Sequence, residues 1–66
     1  MDVRVFEVVV EDASWVVRES TGDYRTLHKS RDEAVNDALR LARVNRPSRL
    51  IIKEPDGSID IEYDYH

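Results

Sequence analysis

The sequence has no cysteine. That excludes a disulfide framework, a thiol nucleophile and any cysteine-ligated metal. Lysine is scarce, with only Lys29 and Lys53 against eight arginines. There are two prolines and two glycines, at isolated positions, so no linker or low-complexity stretch divides the chain. No repeat is present. The longest apolar run, Val8-Val9-Val10, falls far short of the roughly 20 residues of a transmembrane helix. The start, Met1-Asp2-Val3-Arg4, carries neither the basic segment nor the apolar stretch of a signal peptide. A cytoplasmic location without membrane contact is the expectation.

What the sequence does hold is 66 residues, 41% apolar and 36% charged, with a net charge of -4. That is too apolar for a disordered tail and too charged for a membrane span. Residues 1–66 are read as one small domain. A chain of this length buries only about 60% of its unfolded surface, so its core is thin.

Residues 2 to 11 read as a strand, with Val3, Val5, Phe6, Val8, Val9 and Val10 interrupted by Glu7 and Glu11. Asp12-Ala13-Ser14 is a short polar break, and Trp15 to Glu19 is a second strand that completes a hairpin. Thr21-Gly22-Asp23 signals a turn. Tyr24 to His28 looks extended, either as a short strand or as the end of the second strand after a bulge. Ser30 and Glu33 have the spacing of a capping box and open the one clear helix, which Pro47 stops. Ala34, Val35, Ala38, Leu39, Leu41 and Ala42 fall in one arc of that helix. Arg49 to Glu54 is the next strand, Pro55-Asp56-Gly57-Ser58 a hairpin turn, and Ile59 to Tyr65 a last strand. The alternation predicts Ile59, Ile61, Tyr63 and Tyr65 on one face and Asp60, Glu62 and Asp64 on the other. The expected fold is α+β, a two-layer sandwich in ββαββ order, with an antiparallel sheet and one helix across one face.

Trp15-x-Val17, His28-x-Ser30-x-x-Glu33-Ala34, Ala38-x-x-Leu41-Ala42, Leu50-Ile51-Ile52 and Asp56-Gly57-x-Ile59 together resemble the small prokaryotic family called domain of unknown function 2188. The resemblance runs from about Trp15 onward. Its elements are a core tryptophan, a cap, a helix stripe and a hairpin turn, so it implies a fold and no chemistry. The family brings no catalytic residues to carry over. The acidic last strand and the valine-rich first strand depart from its pattern.

Charge is segregated along the chain. Residues 1–24 hold Arg4 and Arg18 against Asp2, Glu7, Glu11, Asp12, Glu19 and Asp23. Residues 25–49 hold Arg25, Lys29, Arg31, Arg40, Arg43, Arg46 and Arg49 against Asp32, Glu33 and Asp37. Residues 50–66 hold Lys53 against Glu54, Asp56, Asp60, Glu62 and Asp64. Arg40, Arg43, Arg46 and Arg49 are candidates for gripping nucleic-acid phosphates. The competing reading is a solvated helix face whose basic residues answer neighbouring acids. It is favoured because nucleic-acid modules are usually basic overall. Asp60, Glu62 and Asp64 are too sparse for a calcium loop. They read as a solubilising face that discourages edge pairing, or as phosphate mimicry in a phage or mobile-element inhibitor.

His28 lies near Ser30 and Asp32, but proximity in sequence does not make a triad, and no hydrolase, P-loop or dinucleotide motif is present. His28 reads as structural or exposed. No metal and no cofactor are expected, and the chain is read as a non-enzyme without a small-molecule substrate.

If Phe6, Val8, Val10, Trp15, Val17, Leu50 and Ile52 face the helix, then Val5, Val9, Val16 and Ile51 lie on the other face. A one-helix domain leaves that face in water. Either long side chains cover it, strand parity changes at a bulge, or it binds a protein partner or a second copy. On the last reading, Val9→Asp or Val16→Asp severs a contact and leaves the fold intact. The first expectation is a small non-catalytic protein-interaction or regulatory module. Nucleic-acid binding and charge-mimicking inhibition are the alternatives.

Overall fold

The computed structural model describes residues 2–22 and 24–66. Asp23, the third residue of the expected Thr21-Gly22-Asp23 turn, lies outside them, as does Met1. The elements are β1 (Arg4–Glu11), β2 (Ser14–Glu19), β3 (Arg25–His28), α1 (Arg31–Val44), β4 (Ser48–Lys53) and β5 (Ile59–Tyr65). One five-stranded sheet runs in the order β3-β2-β1-β4-β5, with α1 across one face.

The expected ββαββ order and antiparallel sheet are both overturned. The order is βββαββ, and the sheet is mixed because β1 and β4 pair in parallel, Phe6 beside Leu50 and Val8 beside Ile52. Both differences have one cause. Residues 25–28 form a strand of their own, paired antiparallel with β2. With three strands before the helix, the chain leaves β3 in the direction of β1. After α1 returns it, β4 starts in that same direction. With only two strands counted, β4 would have opposed β1.

Local chemistry sets the turns. Glu11 pairs with Ser14, so β1 and β2 are joined by Asp12 and Ala13 alone, both at positive φ, 50° and 64°. Such a two-residue connection matches the twist of a hairpin. Ser30 Oγ accepts from the Glu33 N–H at 3.2 Å and caps α1. At the other end the Asn45 side chain donates to the Leu41 carbonyl at 2.8 Å, and buried Ser48 donates to the Ala42 carbonyl at 2.6 Å. The last hairpin turns at Gly57, φ 93°, with the Gly57 N–H donating to the Glu54 carbonyl.

The core lies between α1 and the middle of the sheet. Phe6, Val8, Val17, Leu50 and Ile52 meet Ala34, Ala38 and Ala42, all fully or almost fully buried. Each large side chain removed from water contributes about 1.5–3 kcal/mol. The three alanines let the helix backbone lie close on the sheet. A helix is roughly 10 Å across and strands are about 4.8 Å apart, so one helix roofs two to three strands of five. Here α1 packs on β1, β2 and β4 and reaches β3, leaving β5 at the unroofed edge.

Candidate docking surface

The outer face of the sheet is one candidate. Val5, Val9, Val16 and Ile51 all point away from α1, as their registers with Arg18, Arg49 and Glu7 require. Val16 is fully buried and Val9 nearly so. The covering is charged. Val9 and Val16 form one row of the β1–β2 pair, between the Glu7–Arg18 row and the Glu11–Ser14 row. Arg18 donates to Glu7 at 3.1 Å and to Glu11 at 2.7 Å, so its side chain crosses the valine row. Arg25 also pairs with Glu11, and Lys53 with Glu7 at 3.1 Å. Burial pushes the Glu7 carboxyl up, but hydrogen bonds from Lys53 and Arg18 outweigh it and hold the group below its ordinary range. Val5 and Ile51 are half-buried at the margin of this lattice, while Leu27 on β3 and Ile59 at the start of β5 stand well exposed near its two edges.

The basic segment does not form one patch. Arg40 pairs with Asp37 on its own helix, and Arg43 is exposed on α1. Arg46 lies past the helix end with its guanidinium 5.5 Å from the Tyr65 ring centroid. Arg49 is on the opposite side of the sheet from the helix and bonds Asp64 at 2.8 Å.

The acidic stripe is broken by a register shift. Ile52 pairs with Ile61 but Lys53 pairs with Ile59, leaving Asp60 as the extra residue of a bulge. Lys53 reaches Glu7 on the outer face, so its cross-strand partner Ile59 shares that face. Asp60 instead bonds Arg31 at the start of α1, at 2.8 Å. The strict alternation expected from Ile59 therefore holds only from Ile61 onward. Glu62 and Asp64 face outward, and Ile61, Tyr63 and Tyr65 face the helix side.

His28 is half-buried and binds within the fold. Its Nε2 lies 2.9 Å from Thr26 Oγ1 and 3.4 Å from Asp37 Oδ2. The Tyr24 hydroxyl and Thr26 also donate to Asp37, so this carboxylate ties the short edge strand to the helix. Both contacts of His28 use one ring nitrogen and neither partner is an activated nucleophile, so the cluster lacks the geometry of a triad. Among the described residues no cavity forms, and no three His, Asp or Glu side chains converge to hold a metal ion. None of the helices among the described residues is long and apolar enough to cross a membrane.

The surface that residue patterns alone did not single out is the helix side of β5. Ile61 and Tyr63 are each 38% exposed there, beside half-buried Tyr65, whose ring centroid is 6.4 Å from that of Tyr63. Arg31 at the start of α1 and Arg46 just past its end both reach β5, and half-buried Val35 and Leu39 lie between them on the same side of the helix. The result is an apolar shelf between helix and edge strand. The available signal was arithmetic, since one helix cannot roof five strands.

No curated protein and no solved structure matches the chain. A family model does, described as uncharacterized protein conserved in bacteria (DUF2188), over residues 6–65. The match begins at Phe6 in the core and ends at Tyr65 on the shelf, taking in β1 from its third residue and every later element. By that coverage, the chain belongs to the domain of unknown function 2188 family.

Proposed function

We propose that this chain is a small non-catalytic protein-interaction module that docks through the helix side of β5. The observation that carries the reading is the pair Ile61 and Tyr63, adjacent on one face of an edge strand and each 38% exposed. Aromatic and aliphatic side chains standing in water on a rigid element are the usual anchors of a protein interface. A regulatory role through such docking fits a domain of this size. On the outer face the central valines are roofed by ion pairs, and the exposed apolar side chains, Leu27 and Ile59, stand singly near opposite edges rather than side by side.

The test is affinity capture from nuclease-treated host lysate with the tagged chain and three variants. A stoichiometric protein retained by the wild type and by Leu27→Asp, but lost by Ile61→Asp and Tyr63→Asp, supports the reading. Recovery of nucleic acid alone, before nuclease treatment and at low salt only, would overturn it in favour of the arginines around Arg40–Arg49.

A further inference from the structure

Resting on that reading, we propose that the free edge of β5 binds an extended partner segment that alternates apolar and basic residues, adding it to the sheet as a sixth strand. Three observations on β5 define the occupant. It is the longer of the two edge strands, seven residues against four in β3. Its backbone is paired on one side only, with β4. And from Ile61 to Tyr65 its two faces differ completely, with Ile61, Tyr63 and Tyr65 on the helix side and Glu62 and Asp64 on the outer side.

Charged side chains and a bulge are ordinary guards of an edge, and β5 has both, in Glu62 and Asp64 and at Asp60. They leave the helix side of residues 61–65 apolar and uncharged, so the edge repels a strand that brings carboxylates outward and accepts one that brings cations. A strand laid along it in register sets its inward residues beside Ile61 and Tyr63, against the Val35–Leu39 side of α1. Its outward residues meet Glu62 and Asp64. Glu62 is near enough to Arg49 to act on its charge but makes no direct ion pair among the described residues, and Asp64 keeps 53% of its side chain exposed although Arg49 bonds it, so one arginine answers two carboxylates. Residues 59–66 contain no lysine or arginine. Outward basic residues are therefore the complementary choice, since opposite charges facing each other across strands are stabilising and like charges are not.

The same reasoning disfavours a second copy of this chain. An antiparallel β5–β5 register centred on Glu62, Tyr63 or Asp64, which keeps the apolar residues on one face, sets carboxylate opposite carboxylate: Glu62 or Asp64 against itself, or Glu62 against Asp64. The recognition is strand addition, in which backbone hydrogen bonds give affinity and alternate side chains give specificity.

The experiment uses the full chain, isotope-labelled, and three nine-residue peptides. One alternates valine and lysine, one replaces the lysines by glutamate, and one scrambles the first so that alternation is lost. Amide NMR shifts and hydrogen exchange are followed during titration at low and moderate salt. The alternating basic peptide is expected to shift and protect amides of residues 61–65. The acidic and scrambled peptides are expected to bind at least about tenfold more weakly. Glu62→Lys is expected to fold normally and to lose the basic peptide by a similar factor. Equal binding of the scrambled peptide, shifts centred on β3 or the outer face, or an unchanged affinity in Glu62→Lys would overturn the inference. So would a concentration-dependent dimer of the free chain with protected β5 amides. In the lysate capture, a partner lost by Ile61→Asp but kept by Glu62→Lys overturns the basic strand while leaving the docking face standing. A partner kept by both removes the docking face as well.

Discussion

The Arg4 guanidinium forks onto the Glu19 carboxylate, Nε to Oε2 at 2.8 Å and Nη2 to Oε1 at 2.7 Å. Arg4 also bonds Asn45 at the end of α1 and lies with its Cζ 5.3 Å from the Phe6 ring centroid. Glu19 is buried on the helix side of β2, opposite Phe6. This fork closes the end of the core that the alanine stripe does not reach. Glu19→Gln keeps the shape but removes the charge that matches the fork. It is expected to lower the melting temperature at pH 7 and to change it less at pH 3, because acidification progressively removes the same charge from the wild-type carboxylate. Differential scanning calorimetry at the two pH values is the check.

Three carboxylates give the domain an acid limit. The hydrogen bond from Arg4 holds Glu19 below the ordinary glutamate range. Lys53 and Arg18 hold Glu7 down against the opposing effect of burial. The backbone and hydroxyl of Ser58 do the same for Asp56 in the last turn. A group whose folded value lies below its unfolded one binds fewer protons when folded, so its stabilisation is complete above the unfolded value and lost as pH falls through the folded one. Denaturant midpoints are expected to be flat from about pH 6 to pH 5 and to fall below about pH 4.5. Glu7→Gln combined with Glu19→Gln is expected to flatten that fall. A midpoint that rose on acidification would contradict the assignment.

Ala13 sits at φ 64° in a two-residue turn. A side chain in that region is strained, and the second position of such a turn is where glycine is preferred. Ala13→Gly is expected to stabilise the domain by about 0.5–1 kcal/mol, relief of the strain exceeding the extra freedom of the unfolded glycine. Urea unfolding followed by Trp15 fluorescence measures it.

Ala38 is fully buried at the centre of the helix–sheet contact, between Ala34 and Ala42. Ala38→Leu adds three carbons where helix and strands already touch. It is expected to cost about 1–3 kcal/mol or more, because the helix must rise off Val8, Val17 and Leu50 or tilt. A variant as stable as the parent would mean that the contact is looser than the burial indicates.

The sequence made the local features readable and the non-local ones not. Ser30 at the helix start, the Gly57 turn and the inward set Phe6, Val8, Val17, Leu50 and Ile52 follow from capping, turn chemistry and period-two patterning. β3 was obscured because its pattern runs against the rule. Leu27 stands outward in water while Thr26 and His28 face the helix, held there by Asp37. Missing β3 reversed the direction of β4. The bulge at Asp60 left no trace in an apparently regular alternation, and it moved one carboxylate of three to the helix side. The shelf on β5 could not be seen from patterning, since Ile61 and Tyr63 have the sequence signature of a buried face and are exposed only because α1 lies elsewhere.

Val16 separates the two surfaces experimentally. An outer-face interface would let Val16→Asp sever a contact and leave the fold intact. Val16 is instead fully buried, beneath the Arg18–Glu11 bridge that crosses its row. An aspartate there places a carboxylate where water is excluded, in a lattice whose cations already serve Glu7 and Glu11. The burial of an added charge without its own partner and the loss of apolar packing together cost about 3–5 kcal/mol, a large share of the stability of a domain this small. Val16→Asp is therefore expected to unfold the chain or broaden its amide spectrum throughout. Ile61→Asp, at an exposed edge, is expected to stay within about 1 kcal/mol of the parent and keep a dispersed spectrum. If Val16→Asp melted like the parent while Ile61→Asp collapsed, the ion-pair lattice would not be a roof and the shelf would not be a surface.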